Sequence, residues 1–138
     1  MRYLGLDLGN RTVGIAVSDS LGIVATGIET YRFKEKDLQN ALNYVKIIVA
    51  DRKIDKVVLG LPKNMDGSLG FQSEYVLEFK KMLEAEGIEV DLFDERLSTI
   101  QVTKIMIDAD LSRQKRKQQV DKLAAVVILQ SYLDSKKY

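Results

Sequence analysis

The sequence predicts an α/β fold built on a five-stranded mixed sheet, and three observations support this prediction. Alternating apolar residues dominate the first 31 positions, helical spacing starts only after Glu35, and apolar runs then alternate with amphipathic stretches. A chain of 138 residues can bury a substantial core but is too short for two such cores. We therefore expect a single domain over residues 1–138.

The first two strands form the predicted hairpin. Residues 2–8 alternate, with three leucines on one face and Tyr3, Gly5 and Asp7 on the other, and a short turn leads to a second strand over residues 13–18. An ionised aspartate inside a strand is costly unless something strongly polar approaches it. Two interpretations of Asp7 remain open here: a divalent metal, or a hydrogen bond to backbone or to an arginine.

A third strand and a helix follow. Residues 22–31 predict the third antiparallel strand, reached through a turn at residues 19–22. From Glu35 to about Asp51, apolar residues recur at helical spacing. This pattern predicts an amphipathic helix packed on the sheet.

The second half alternates strands and helices. Residues 56–62 are a nearly continuous apolar run that ends in the only proline, which is typical of a buried central strand. A helix containing Tyr75 and Phe79 should end near Gly87, and a last strand should run from Ile88 into Asp94-Glu95-Arg96. Alternation of this kind predicts βαβ units with parallel strands.

Two more helices complete the prediction. A capping-box pattern begins at Ser98 ahead of an amphipathic stretch, and a final helix has its buried stripe between Val120 and Ile128. Three antiparallel strands, a helix, and two parallel strands with their helices give the topology of the ribonuclease H-like fold.

Composition restricts the chemistry. The net charge is +1, and the chain contains no cysteine and no histidine. Disulfides, thiolate zinc sites and imidazole catalysis are therefore excluded, and carboxylate sites for hard cations such as Mg²⁺ or Mn²⁺ remain. No signal peptide precedes the first strand, and no apolar run approaches the roughly 20 residues of a membrane span. We expect a cytosolic protein.

Three carboxylates are candidates for one site. Glu95 ends a parallel strand, where sites in open α/β sheets gather, and Asp121 lies beside the apolar stripe of the last helix, next to small alanines. If Asp7, Glu95 and Asp121 converge, two cations about 3.5–4 Å apart would relieve their repulsion and suit phosphodiester hydrolysis. Most carboxylates are solvated or structural, and we interpret Asp94 and Asp19 in that way.

A basic run precedes the last helix and indicates a loop that contacts phosphates. It contains Arg113, Lys115, Arg116 and Lys117 and no acid or aromatic residue, which favours backbone or shape recognition over base readout; the alternative is a solvated loop. Arg96 would hold the scissile phosphate or pair with Asp94. The loop at residues 64–68 would border the cleft, although a surface turn with Ser68 as a helix cap is the favoured interpretation.

Four segments, in the same order, resemble the YqgF (RuvX) family of bacterial proteins. They are Gly5–Asp19, Gly60–Ser68, Asp94–Thr99 and Asp121–Leu133. That family is described as Holliday-junction-resolvase-like and as nucleases that mature the 5′ end of 16S ribosomal RNA. The resemblance places its acidic site on Asp7, Glu95 and Asp121 and its basic segment on residues 113–117. Ser98 stands where the family often has threonine, which keeps the hydroxyl.

The resemblance implies metal-dependent phosphodiester hydrolysis, but it does not indicate which nucleic acid is cut. Our leading hypothesis is a Mg²⁺- or Mn²⁺-dependent endonuclease, a monomer or weak homodimer, that acts on structured RNA such as a ribosomal RNA precursor. The alternatives are a Holliday-junction DNA resolvase and a non-catalytic nucleic-acid-binding or transcription factor on the same fold. Residues 7–9 also resemble the phosphate loop of actin- and sugar-kinase-like ATPases. Those proteins need two such lobes, whereas 138 residues supply one.

Overall fold

A computed structural model describes residues 1–64, 66–95 and 113–136, with residues 113–121 described by their backbone alone. The described strands are β1 (Tyr3–Leu8), β2 (Thr12–Ser18), β3 (Ala25–Arg32), β4 (Lys56–Leu61) and β5 (Val90–Asp94), and the described helices are α1 (Leu38–Asp51), α2 (Phe71–Ala85) and α3 (Arg113–Ser135). None of these helices combines the length and apolar character that a membrane crossing requires.

The strands form one mixed sheet in the order β3-β2-β1-β4-β5. The hairpin β1–β2 is antiparallel, with Leu8 opposite Val13, and β3 continues it in antiparallel fashion with an irregularity between Ile15 and Ala16. Strand β4 pairs with β1, and β5 with β4, in parallel. The predicted arrangement of three antiparallel and two parallel strands is confirmed.

The alternation of β1 divides its side chains between two hydrophobic layers. Leu4, Leu6 and Leu8 are buried under α1 and α2 with residues such as Phe79. The opposite face, with Tyr3, packs against α3 through a smaller cluster. Because successive side chains of a strand point to opposite faces, one short pattern sets both layers and turns Asp7 toward the α3 side.

Helix α3 lies close against β1 and runs antiparallel to it. A Cβ placed on Gly5 would lie 2.7 Å from the Leu129 Cβ, and the rings of Tyr3 and Tyr132 are in edge contact at 5.7 Å. Higher residue numbers on α3 therefore lie beside lower numbers on β1. The N-terminal part of α3 is accordingly directed toward the end of β1 that contains Asp7.

Two element starts differ from the prediction because local hydrogen bonds compete with regular structure. The third strand begins at Ala25 rather than Gly22, since the Asp19 carboxylate accepts hydrogen bonds from the Ile23 and Val24 N–H groups in a tight turn. Helix α1 begins at Leu38, where the Asp37 side chain accepts from the Asn40 N–H and caps the helix.

The basic run was wrongly predicted as a loop, because α3 already begins at Arg113. Lysine, arginine and glutamine are strong helix formers, so a run of them readily extends a following helix. The prediction of Ser68 as a helix cap is also wrong: Gly70 is the N-cap, and the Ser68 hydroxyl donates to Asp66 at 2.6 Å. The helix predicted after Ser98 lies outside the described residues.

A polar contact fixes the C-terminal part of α3 to β5. The Tyr132 hydroxyl donates to the Asp91 carboxylate, and the Lys56 Nζ lies 3.4 Å from the same group. The tyrosine hydrogen bond, and then the lysine charge, lower the pKa of Asp91, while burial and the same hydrogen bond raise that of Tyr132. This contact joins α3 to the sheet edge opposite Asp7.

Replacing Tyr132 with phenylalanine should lower the free energy of unfolding by about 1 kcal/mol, because the ring contact with Tyr3 is kept while a hydrogen bond to a partly exposed carboxylate is lost. Urea unfolding at pH 7 measures this difference. A lowered carboxyl pKa stabilises the fold above its ordinary value of 3.8, so the difference between the proteins should shrink as the pH falls below that value. Equal stability at pH 7 would contradict the assigned contact.

Candidate active site

Asp7 and Glu95 lie at the same edge of the sheet although they are 88 positions apart in the sequence (95 − 7). Asp7 is the penultimate residue of β1, and Glu95 directly follows β5. The backbone N–H of Glu95 donates to the Leu61 carbonyl at 3.1 Å, which fixes the end of β5 beside the end of β4. Because β4 lies between β1 and β5, the Glu95 side chain must cross it to reach Asp7.

Gly60 makes this crossing possible. A Cβ placed on Gly60 would lie 2.5 Å from Glu95 Oε1, 2.9 Å from its Cδ and 2.6 Å from Ile128 Cδ1. The Glu95 carboxyl therefore occupies the space that any side chain at this position would fill. Gly60 was not among the site residues predicted from the sequence, although a glycine inside an apolar strand is a recognised signal of close approach.

The two carboxyl groups are in contact. Asp7 retains some accessible surface as a residue, but burial of its carboxyl group, a hydrogen bond with Glu95 and repulsion from Glu95 raise its pKa well above the ordinary value. A hydrogen bond between two carboxyl groups needs a proton on one of them. Near neutral pH this pair therefore needs either a shared proton or a cation.

The position of Asp121 is set by the α3 backbone, while its side chain lies outside the described residues. It precedes Ala125 by about one helical turn, and the Ala125 carbonyl oxygen lies 3.1 Å from a Cβ placed on Gly5. Since α3 runs antiparallel to β1, residue 121 falls toward Asp7. Among the described residues no group of three acidic side chains gathers as a metal site, so convergence of all three stays a prediction.

The remaining predicted residues lie outside the described residues, are placed by their backbone alone, or are used in local contacts. Arg96 lies outside the described residues, and Arg113, Lys115, Arg116 and Lys117 are placed only as backbone in the first turns of α3. Asp94 lies 4.0 Å from the Lys63 Nζ. Asp19 closes the β2–β3 turn at the opposite edge of the sheet, where the Ile23 and Val24 N–H groups lower its pKa. Both of these acids are used in local contacts.

The donor set fits a hard divalent cation. Asp7 and Glu95 present carboxylate oxygens only, which is the ligand type that Mg²⁺ and Mn²⁺ prefer. Burial of the Asp7 carboxyl group in contact with Glu95 is costly, and a dication offsets both the desolvation and the repulsion. The chemistry of these two carboxylates therefore suits such a cation.

Comparison with known sequences identifies the family. The sequence profile of the RuvX family, described as a Holliday junction resolvase, matches residues 1–135. The chain belongs to the RuvX family. A protein from Geobacillus sp. (strain WCH70) is 52% identical to this RuvX chain over 137 residues, covering 99% of each. A protein from Clostridioides difficile (strain 630) is 48% identical over 138 residues, covering 98% of this chain and 95% of its own. Both bear the name "Putative pre-16S rRNA nuclease".

Solved structures confirm the ribonuclease H-like fold of this RuvX chain. T. thermophilus RuvC in complex with Holliday junction substrate superposes with a TM-score of 0.61 at 13% identity, covering 99% of this chain and 96% of RuvC. The Fowlpox virus resolvase, in complex with Holliday junction DNA, gives 0.57 at 16% identity and covers all of both chains. At these identities the likeness establishes the fold. Family and fold together support a nuclease.

Proposed function

We propose that this RuvX protein is a Mg²⁺- or Mn²⁺-dependent endonuclease that hydrolyses phosphodiester bonds in structured nucleic acid. The observation that carries the proposal is the contact between the Asp7 and Glu95 carboxyl groups across Gly60. Folding brings two like charges together at an open sheet edge, which costs stability and is typical of a functional site. Their oxygen ligands suit the cations that support hydrolysis of phosphodiesters.

In this proposal Asp7, Glu95 and Asp121 hold the cations, two in number, at the sheet edge. The bound cations would supply an activated water for in-line attack and stabilise the leaving oxygen. The protein itself orients the carboxylates: Gly60 leaves room for Glu95, and the close contact of α3 at Gly5 directs residue 121 toward the pair. Arg96 and the basic first turns of α3 (residues 113–117) would hold the phosphate backbone.

The proposed substrate is pre-16S ribosomal RNA, which the names of the 52% and 48% identical relatives support, and we propose that the protein acts in its 5′ region. The four basic residues at the start of α3 give a local positive charge on a chain whose net charge is only +1. Such a local patch favours contacts with the phosphate backbone over sequence readout. We further propose that the protein acts in the cytoplasm, as one domain and as a monomer or weak homodimer.

Cleavage of two substrates tests the proposal. The purified protein is incubated with a pre-16S RNA fragment that spans the mature 5′ end, and separately with a four-way DNA junction, each in Mg²⁺, Mn²⁺ or EDTA. We expect a discrete RNA product with either metal and none in EDTA. Binding of the RNA without cleavage under any metal condition would contradict the catalytic proposal and support a non-catalytic binding factor.

A Holliday-junction resolvase is the second candidate, because the matching family profile carries that description. A resolvase needs two active sites to make two symmetric cuts, so it is expected to act as a dimer. Symmetric cleavage of the four-way junction, with the RNA fragment left intact, would favour this candidate. Its active-site residues would be the same three carboxylates.

A further inference from the structure

Phe71 is the most exposed of the large apolar side chains that the structure describes, with 93% of its surface accessible. It is the first residue of α2, and hydrogen bonds fix the two residues that follow it. The Gln72 Nε2 donates to the Leu8 carbonyl at 3.2 Å, and the Ser73 hydroxyl donates to the Pro62 carbonyl. Since Leu8 follows Asp7, these hydrogen bonds place Phe71 at the same sheet edge as the acidic pair.

Phe71 borders a cavity of about 300 Å³ between the β1–β2 turn, the loop before α1 and the first turns of α2. Its lining residues are Asn10, Lys36, Phe71, Gln72, Tyr75 and Glu78. The lining therefore combines aromatic rings with amide groups, a carboxylate and an ammonium group. This volume is at the lower end of the range for small-molecule sites, and a few polar groups among apolar ones are typical of such sites.

Two local features of the cavity lining are unfavourable for the stability of the fold. Lys36 has a positive φ of 59°, a conformation held by hydrogen bonds from its N–H to the Asn10 carbonyl at 2.7 Å and from the Leu38 N–H to its own carbonyl at 3.0 Å. The Tyr75 hydroxyl is buried and has no hydrogen-bond partner among the described residues. Strained backbone and unpaired buried polar atoms concentrate at functional sites.

We propose, on the basis of the proposed nuclease function, that this cavity takes an unpaired nucleobase of the substrate strand, which stacks on Phe71 while Lys36 contacts a flanking phosphate. Stacking on an exposed aromatic ring is open to every base, because each has a π face. The amides of Asn10 and Gln72 can bond the edge of a base, and an ammonium group suits a phosphate. An apolar side chain of a protein partner would offer no hydrogen-bond partner to these polar groups, so a nucleobase fits the cavity better.

The absence of tryptophan from the chain permits a direct measurement. Phe71→Trp introduces a single tryptophan at the proposed stacking position, and it can be excited at a wavelength at which the six tyrosines do not absorb. In EDTA, where no metal-dependent cleavage occurs, titration with a single-stranded adenosine octanucleotide RNA should quench this fluorescence. An abasic octanucleotide of the same backbone charge should not quench it. Equal quenching by both would overturn the proposal, because it would show contact with the backbone alone.

Two further variants give independent readouts of binding. Phe71→Ala should weaken binding of the adenosine octanucleotide about tenfold, and Lys36→Asn should weaken it and reduce its salt dependence, while asparagine still tolerates a positive φ. Leu21→Ala is the matched control, since Leu21 is also an exposed apolar residue (75%) but lies in the turn at the opposite sheet edge. Unchanged binding by Phe71→Ala would overturn the proposal, and an exposed anchor for a protein partner would then be the better explanation.

The outcome is separable from that of the nuclease proposal, because binding is measured without metal. A protein that cleaves RNA but binds the octanucleotide equally well with and without Phe71 would retain the nuclease function and lose this inference. A protein that never cleaves, yet shows base-dependent quenching at position 71, would lose the nuclease function and retain the base pocket.

Discussion

Replacing Asp7 with asparagine is expected to lower metal-dependent cleavage at least about a thousandfold while raising the thermal stability of the metal-free protein. Loss of one carboxylate from a cation site removes several kcal/mol of transition-state stabilisation, and each 1.36 kcal/mol corresponds to a factor of ten. In the metal-free protein, the same change also removes the cost of either protonating Asp7 or keeping it ionised in a buried position beside Glu95. Asparagine keeps the shape of the side chain, so the fold should tolerate it.

Thermal unfolding with and without Mn²⁺ separates the two effects. In EDTA, the asparagine variant should melt above the wild type, whereas Mn²⁺ should raise the melting temperature of the wild type more than that of the variant. Asp51→Asn is the matched control, because Asp51 is an exposed carboxylate at the end of α1 and should change neither quantity. A metal-free variant less stable than the wild type would show that Asp7 has a structural role.

The raised pKa of Asp7 also predicts how the stability of the protein depends on pH, and the asparagine variant tests this dependence. A carboxyl pKa that is raised by folding means that the folded state binds a proton more tightly than the unfolded state. In EDTA, the stability of the wild type should therefore increase as the pH falls through the raised pKa toward 3.8, the ordinary value. In the variant this increase should be smaller. A pH profile of urea unfolding for both proteins measures the difference.

The acidic pair could be predicted from the sequence because it follows from topology. Strand alternation places Asp7 opposite the leucines, and parallel strands end at the same sheet edge, which brings Glu95 near it. The contact itself depends on Gly60, because the Glu95 carboxyl group occupies the space that a side chain at position 60 would fill. This role of Gly60 can be recognised only in the folded structure. Sequence patterns therefore identified the members of the pair, while the space that lets them meet is a tertiary property.

Competition between alternative local structures explains the predictions that failed. The basic residues at 113–117 have both the composition of a phosphate-binding loop and high helix propensity, and the helix continues through them. Ser68 has the chemistry of an N-cap, but its hydroxyl is used by Asp66. The exposure of Phe71 could not be predicted either, because an aromatic residue near apolar positions is normally expected in a core.

Replacing Gly5 with alanine is expected to destabilise the protein by about 3 kcal/mol, which lowers the melting temperature on the order of 10 °C. The added Cβ would lie 2.7 Å from the Leu129 Cβ and 3.1 Å from the Ala125 carbonyl oxygen. Neither atom belongs to the flexible end of a side chain, so rotation cannot relieve the overlap and α3 must move outward. Because α3 also carries Asp121, cleavage by the folded variant should fall as well.

Gly70→Ala separates the cost of close approach from that of losing a glycine. Among the residues that the structure describes, a Cβ on Gly70 would meet the Asn64 side chain alone, at 3.7 Å, which is an ordinary contact. Loss of a glycine N-cap should then cost less than about 1 kcal/mol. Calorimetry of both variants, together with cleavage rates measured well below their melting temperatures, tests the argument. Equal losses of stability in the two variants would show that the packing of α3 does not require a glycine at position 5. An unchanged cleavage rate in Gly5→Ala would show that the position of α3 does not control the site.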